Sequence, residues 1–168
     1  MEILLLSQES GSSILKECLK EYISTTRAVH LWFHGAHNVT RGTGFSGDHV
    51  NLYGQIYHEI QEDIDGLIEK AVGLPNDEGL ACPASITIRA GEILADYPSP
   101  VGLSSLSIAT CGCQLLEAYL KFLKMIFETL EDSDDLSLGL NDYIMSHSNK
   151  YESFIYLLQQ REKAELED

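Results

Sequence analysis

The strongest constraint on this chain is one apolar stripe. Leu106, Ala109, Cys113, Leu116, Leu120, Leu123, Phe127 and Leu130 recur in alternating steps of three and four, which places them on one face of a long helix. A helix of that length with one apolar face needs other helices to bury it. The rest of the chain supplies them. Leu140, Ile144, His147, Tyr151, Phe154 and Leu158 make a second stripe, and Leu15, Leu19, Tyr22, Val29, Phe33 and Ala36 predict a helix over about Ser13 to His37. A further helix is predicted from Asp48, a good N-cap, to about Val72, where Gly73 and Pro75 stop it. The chain reads as an all-α four-helix bundle, a single domain over residues 1–168.

The connections are unequal. Thr40-Arg41-Gly42-Thr43-Gly44 is short, and the acidic break Glu131, Asp132, Asp134 and Asp135 precedes the last helix, which it is expected to cap. The segment from Leu74 to Val101 is far longer, a crossover that lets the second and third helices run parallel. A short helix is expected there over Arg89 to Tyr97, before Pro98 and Pro100. Strand character is weak except at Ser85 to Ile88.

Composition narrows the function classes. With 168 residues, 44% of them hydrophobic, the chain can bury a real core. No apolar run approaches the roughly 20 residues a membrane span needs. The apolar start, Ile3 to Leu6, is too short for a secretory signal and lacks a preceding basic residue, so a cytoplasmic protein is expected. A net charge of −15 repels phosphate backbones. The first basic residue is Lys16 and the stretch Glu162 to Asp168 is acidic overall, so no DNA binding is expected. Cys18, Cys82, Cys111 and Cys113 lack zinc-site spacing and read as inert thiols.

Histidine and carboxylate concentrate in the first half of the bundle. His30, His34 and His37 fall at i, i+4 and i+7 on one helix face. His49 opens the second helix, and His58, Glu62, Asp65 and Glu69 share a face at i, i+4, i+7 and i+11. Imidazole nitrogen mixed with carboxylate oxygen suits iron, and bundles assemble such sites from facing helices. The bland alternatives are a solvated acidic face for Glu62, Asp65 and Glu69, hydrogen-bonded polar roles for His30 and His34, and a satisfied core position for His147.

The run His37-Asn38-Val39, Arg41-Gly42, Phe45 and His49 resembles the signature of the Dps miniferritins of the ferritin superfamily. Asp65-Gly-Leu-Ile-Glu69 is similar to that family's Asp-x-x-x-Glu pair on the second helix. The resemblance implies a ferritin-like bundle assembled as a hollow homododecamer, with ferroxidase sites at two-fold interfaces. His37 and His49 would come from one subunit, and Asp65 and Glu69 from its partner. Iron would be oxidised there, commonly by hydrogen peroxide, and stored as ferric oxide. His58 and Glu62 are further candidate metal ligands.

The sequence departs from the pattern in three places. Asn38 stands where the family usually has tryptophan, and the one tryptophan is Trp32. A Lys-rich DNA-binding extension is absent. The interval from His49 to Asp65 is one residue longer than the family pattern has. At about 100° per residue an unbroken helix would put those two on nearly opposite faces. A π-bulge between His49 and His58, near Gly54, would absorb the extra residue and bring Tyr53, His58 and Glu62 onto the face of Asp65 and Glu69. Two other readings compete with the ferroxidase. One is a non-catalytic bundle that assembles or binds a partner. The other is a bacterioferritin-like protein with its metals inside each subunit, disfavoured because no Glu-x-x-His pair occurs on both the second and fourth helices. The acidic break could also line an iron entry pore in a cage.

Overall fold

The computed structural model describes residues 12–167, so the stretch Ile3 to Leu6 lies outside them. Four long helices form the bundle: α1 (Ser13–Val39), α2 (Gln55–Gly73), α4 (Ser105–Asp132) and α5 (Leu138–Glu167). A π-helical segment (Gly47–Gly54) runs directly into α2, and the crossover holds a 3-10 turn (Glu78–Ala81) and α3 (Pro83–Ala95). No strand occurs among the described residues.

Local chemistry explains the ends. Ser12 accepts from the Leu15 amide, Ser104 from the Ser107 amide and Ser137 from the Leu140 amide, each satisfying a first-turn donor with no partner inside its helix. The cap of α5 is thus Ser137 and not an acid of the preceding break. Asp134 instead takes a left-handed turn conformation (φ 61°), and Asp135 accepts from the hydroxyls of Ser133 and Ser12, tying this corner to the start of α1. Ser85 to Ile88 is helical. Pro83 at the first turn, where its missing N–H costs nothing, starts α3 six residues before the expected Arg89. Asp48 is no N-cap either. It is buried inside the π-helix, where Arg161 of α5 donates to both its carboxylate oxygens at 2.8 and 2.9 Å.

Side-chain contacts fix the topology. Lys16 meets Asp77 at one end of α1, and His37 meets His49 at the other, so α1 and α2 are antiparallel. Ser12 meets Asp135, Thr26 meets Tyr119, and Ser105 reaches the Arg41 carbonyl, so α1 and α4 are antiparallel as well. It follows that α2 and α4 are parallel, and only the long crossover can join them. The expected ferritin-like bundle is the observed one.

Each stripe turns inward. Leu116, Leu123 and Leu130 of α4 and all six stripe residues of α5 are buried, alongside Leu19, Tyr22, Phe33, Ile56, Ile60, Ile64 and Leu67. Trp32 is buried too, and its indole N–H donates to the Pro98 carbonyl at 2.8 Å, pinning the crossover to α1.

Candidate metal centre

The end of α1 leaves carbonyls with no intrahelical partner. One of them, on His37, accepts from His49 Nδ1 at 2.8 Å, and the His49 carbonyl accepts from His37 Nδ1 at 2.6 Å. The two rings stack with centroids 3.7 Å apart and an interplanar angle of 19°. A carbonyl can only accept, so both Nδ1 atoms carry protons, and in the neutral form of each ring the Nε2 atom holds the lone pair. Backbone carbonyls orient metal-binding imidazoles in just this way. Desolvation, together with the nearby imidazoles His49, His34 and His58, lowers the pKa of His37 although the His49 carbonyl opposes the shift. The ring stays neutral to lower pH and keeps its lone pair for a cation.

Two features of the second helix make this geometry possible. The π-helix supplies the extra residue, so the expected irregularity is present, though it begins upstream at Gly47 and is complete by Gly54. Gly54 gives the close approach. A Cβ there would lie 2.5 Å from the His49 carbonyl and 3.3 Å from His37 Nδ1, so no larger residue fits without moving the pair.

The π-helix also decides which tyrosine faces the histidines. Tyr53, expected on the ligand face, is buried in the core beside Phe33. Tyr57 takes that place, with ring centroids 4.9 Å from His34, 5.0 Å from His37, 5.9 Å from His30 and 4.2 Å from His58. It was missed because a regular helix assigns it to another face. Phe45 stacks on His49 at 5.0 Å and provides an apolar wall that does not depend on position 38.

The other ligands lie farther down α2. His58, Glu62, Asp65 and Glu69 are all exposed, as one face requires. Arg27 donates to Gln61 at 2.8 Å and Gln61 to Asp65 at 3.1 Å, a chain the sequence reading did not anticipate. Asp65 is eleven residues beyond Gly54, about 16 Å along a helix. A cation bound at about 2 Å by each ligand cannot touch the imidazole pair and the carboxylate pair of one protomer. Consistently, no three His, Cys, Asp or Glu side chains among the described residues of one protomer are arranged to hold a metal ion.

The bundle interior offers a contrast. Asp63, buried on α2, accepts from Lys150 Nζ at 2.6 Å and from the Tyr151 hydroxyl at 3.0 Å, and lies 3.4 Å from His147 Nε2. His147 Nδ1 pairs with the Tyr22 hydroxyl at 2.7 Å, so His147 is a core histidine held by polar partners. Where an intrasubunit metal would need free carboxylates, Asp63 already has an ammonium on it.

No protein-family model matches the sequence, and no curated protein is significantly similar to it. Solved structures do match. A tetragonal form of Mycobacterium smegmatis Dps superposes with a TM-score of 0.71 at 18% identity, covering 94% of this chain and 91% of that one. The Dps protein of Vibrio cholerae O1, described as a member of a broad superfamily of ferritin-like diiron-carboxylate proteins, gives 0.69 at 16% identity, covering 90% and 96%.

Proposed function

We propose that this chain, whose fold is that of the Dps structures, is an iron-storing miniferritin that oxidises Fe(II) and keeps the ferric product inside a hollow homo-oligomer, a dodecamer. The observation that carries the proposal is the division of donors along one outer face. The stacked His37–His49 pair presents two oriented Nε2 lone pairs, and the Asp65–Glu69 pair stands about 16 Å away. A two-fold axis between these half-sites would bring each imidazole pair onto the partner's carboxylate pair and make two complete sites per dimer. Exposed Phe45, which stacks on His49, and the adjacent exposed Val50 supply apolar surface for that contact.

Iron enters this scheme as substrate. His37 and His49 bind Fe(II) as neutral ligands, and Asp65 and Glu69 of the partner subunit balance the charge that grows as iron becomes ferric. Two Fe(II) ions give one electron each to one hydrogen peroxide, whose O–O bond breaks to leave two hydroxides. Hydrolysis of the ferric ions then releases protons to solvent. The acidic surface, net charge −15, concentrates divalent cations near the protein.

The test is Fe(II) oxidation by the purified oligomer with peroxide or air, followed by size exclusion to detect retained iron. Oxidation well above the buffer rate with iron co-eluting in a large species, both lost in His37→Ala and in Asp65→Ala, supports the proposal. Oxidation no faster than in buffer, with no retained iron, leaves an assembly whose role is binding.

A further inference from the structure

The π-helix that carries His49 is held from outside its own sequence. Asp48, the residue before His49, is buried, and Arg161 Nε–H donates to both its carboxylate oxygens at 2.8 and 2.9 Å. Arg161 lies three positions beyond Leu158, the last residue of the buried α5 stripe, so the face that packs α5 into the core also carries the guanidinium to this corner. The fit is close. A Cβ on Gly44 would lie 2.8 Å from Arg161 Nη2 and 3.1 Å from an Asp48 carboxylate oxygen, and the Asp48 amide donates to the Gly44 carbonyl at 2.9 Å. The guanidinium therefore rests against the turn through which the chain enters the π-helix.

That turn is the base of the imidazole pair. His49 and His37 exchange their Nδ1–carbonyl hydrogen bonds, and Phe45, inside the same turn, stacks on His49. A π-helix is a rare form, and its geometry here leans on contacts from other elements. A carboxylate as buried as Asp48 is strongly disfavoured without a cation. Without Arg161 it would turn toward water. It cannot move far without moving the His49 backbone, whose carbonyl is one of the two groups that orient the pair.

We infer that Arg161 is a positioning residue of the metal centre: through Asp48 it fixes the His49 backbone, and with it the mutual placement of the two imidazoles. The inference rests on the proposed binding of iron at the His37–His49 pair. Arg161 carries the wrong charge to attract a cation, so what it contributes there is geometry.

Charge and geometry predict opposite signs, and Co(II) binding to the assembled protein separates them. By charge alone, Arg161→Met strengthens binding, since it removes a cation and leaves a bare carboxylate beside His49. By position, the same change weakens binding at the pair by about 10–100-fold, the range typical of lost support behind a ligand. One readout is the visible absorption of the Co(II) that His49→Ala removes. The other is hydrogen exchange, expected to quicken over Gly47–Gly54 while α4 keeps its protection. Elution volume checks the assembly of each variant. Arg161→Lys keeps a cation for Asp48 but lacks the Nε–H, and carries the test if Arg161→Met does not assemble; it should bind Co(II) more weakly than wild type. Lys150→Met is the control, since it takes the ammonium from buried Asp63 and leaves the π-helix alone. Its Co(II) affinity should match wild type. Binding at wild-type strength or tighter in the Arg161 variants, or an equal loss in Lys150→Met, overturns the inference and leaves the proposed function in place. A wild-type protein from which His49→Ala removes no bound Co(II) overturns both.

Discussion

The inside of the bundle and the outer α1–α2 face contain the same chemical groups and use them in opposite ways. Inside, Asp63, His147, Lys150, Tyr151 and Tyr22 answer one another, so the buried Asp63 carboxylate carries its own ammonium. Outside, His37 and His49 spend their Nδ1 protons on backbone carbonyls and hold their Nε2 atoms open, while Asp65 and Glu69 stand exposed. A buried charge must be paired because an unpaired one costs several kcal/mol. An exposed carboxylate stays solvated and loses little by waiting for a cation. Placement, more than residue type, separates structural polarity from metal-ready polarity here.

Changes at four positions would break or sharpen that contrast. The largest effect is expected from Asp63→Ala, which takes the partner from buried His147 and Tyr151 and from half-buried Lys150 and should cost about 3–5 kcal/mol in chemical denaturation, with Co(II) binding at the outer face unchanged. Loss of the outer sites in that variant would mean that the two regions are not separable. The same carboxylate has a pH signature. Burial raises its pKa, but the hydrogen bonds and charges of His147 and Lys150 outweigh this and hold it below the ordinary 3.8. Its contribution to stability is therefore present above about pH 4 and fades below it as the folded carboxylate protonates; Asp63→Asn should lack that acid limb.

The outer face titrates in a different window. Burial first, then Arg27, His34 and His58, push the pKa of His30 from 6.5 to about 4. The unfolded chain binds this proton before the folded one does, so stability declines as pH falls from 6.5 toward 4, by at most about 3 kcal/mol. His30→Gln should flatten denaturation midpoints across that interval. If the slope persists, another group is responsible.

Smaller again is Gly54→Ala. The added methyl meets the His49 carbonyl and forces the π-turn to shift, at about 1–3 kcal/mol, and it should weaken metal binding at the His37–His49 pair more than stability alone explains. A variant with normal stability and normal Co(II) affinity would show that the pair does not need the close approach. The smallest effect is expected from Tyr57→Phe. It keeps the ring that packs among His34, His37 and His58 and should change stability by about 0.5 kcal/mol or less, measured by thermal melts; a large loss would reveal a role for the hydroxyl.

The bundle was legible because its signal is periodic. The α4 and α5 stripes point inward wherever the helices go, and the long crossover follows from lengths alone. The π-helix was legible through a contradiction, since His49 and Asp65 could not share a face on a regular helix. Its full extent, Gly47–Gly54, was not. Because the irregularity is complete by Gly54, Tyr53 turns into the core and Tyr57 turns out, the reverse of what a later bulge would give. Asp63 could not be told apart from its exposed neighbours Glu62 and Asp65 in sequence. Only the arrival of Lys150 and Tyr151 from α5 sets it apart, and that is a tertiary fact. Asp48 misled for a similar reason, since a good N-cap residue is also a good partner for a distant arginine, and Arg161 lies 113 positions away.

The π-helical turn has a consequence for how such a site can be recognised at all. A rule written in residue counts, so many positions from histidine to aspartate, breaks as soon as one residue is gained or lost. A helix that widens locally absorbs that residue and returns the chain to its former phase, so the same rule written in ångströms still holds. The segment Gly47–Gly54 thus acts as a slip joint. Removing one residue from it should turn the segment α-helical and leave α2 in register with α1, so that length can drift here while the spatial relations of the site do not.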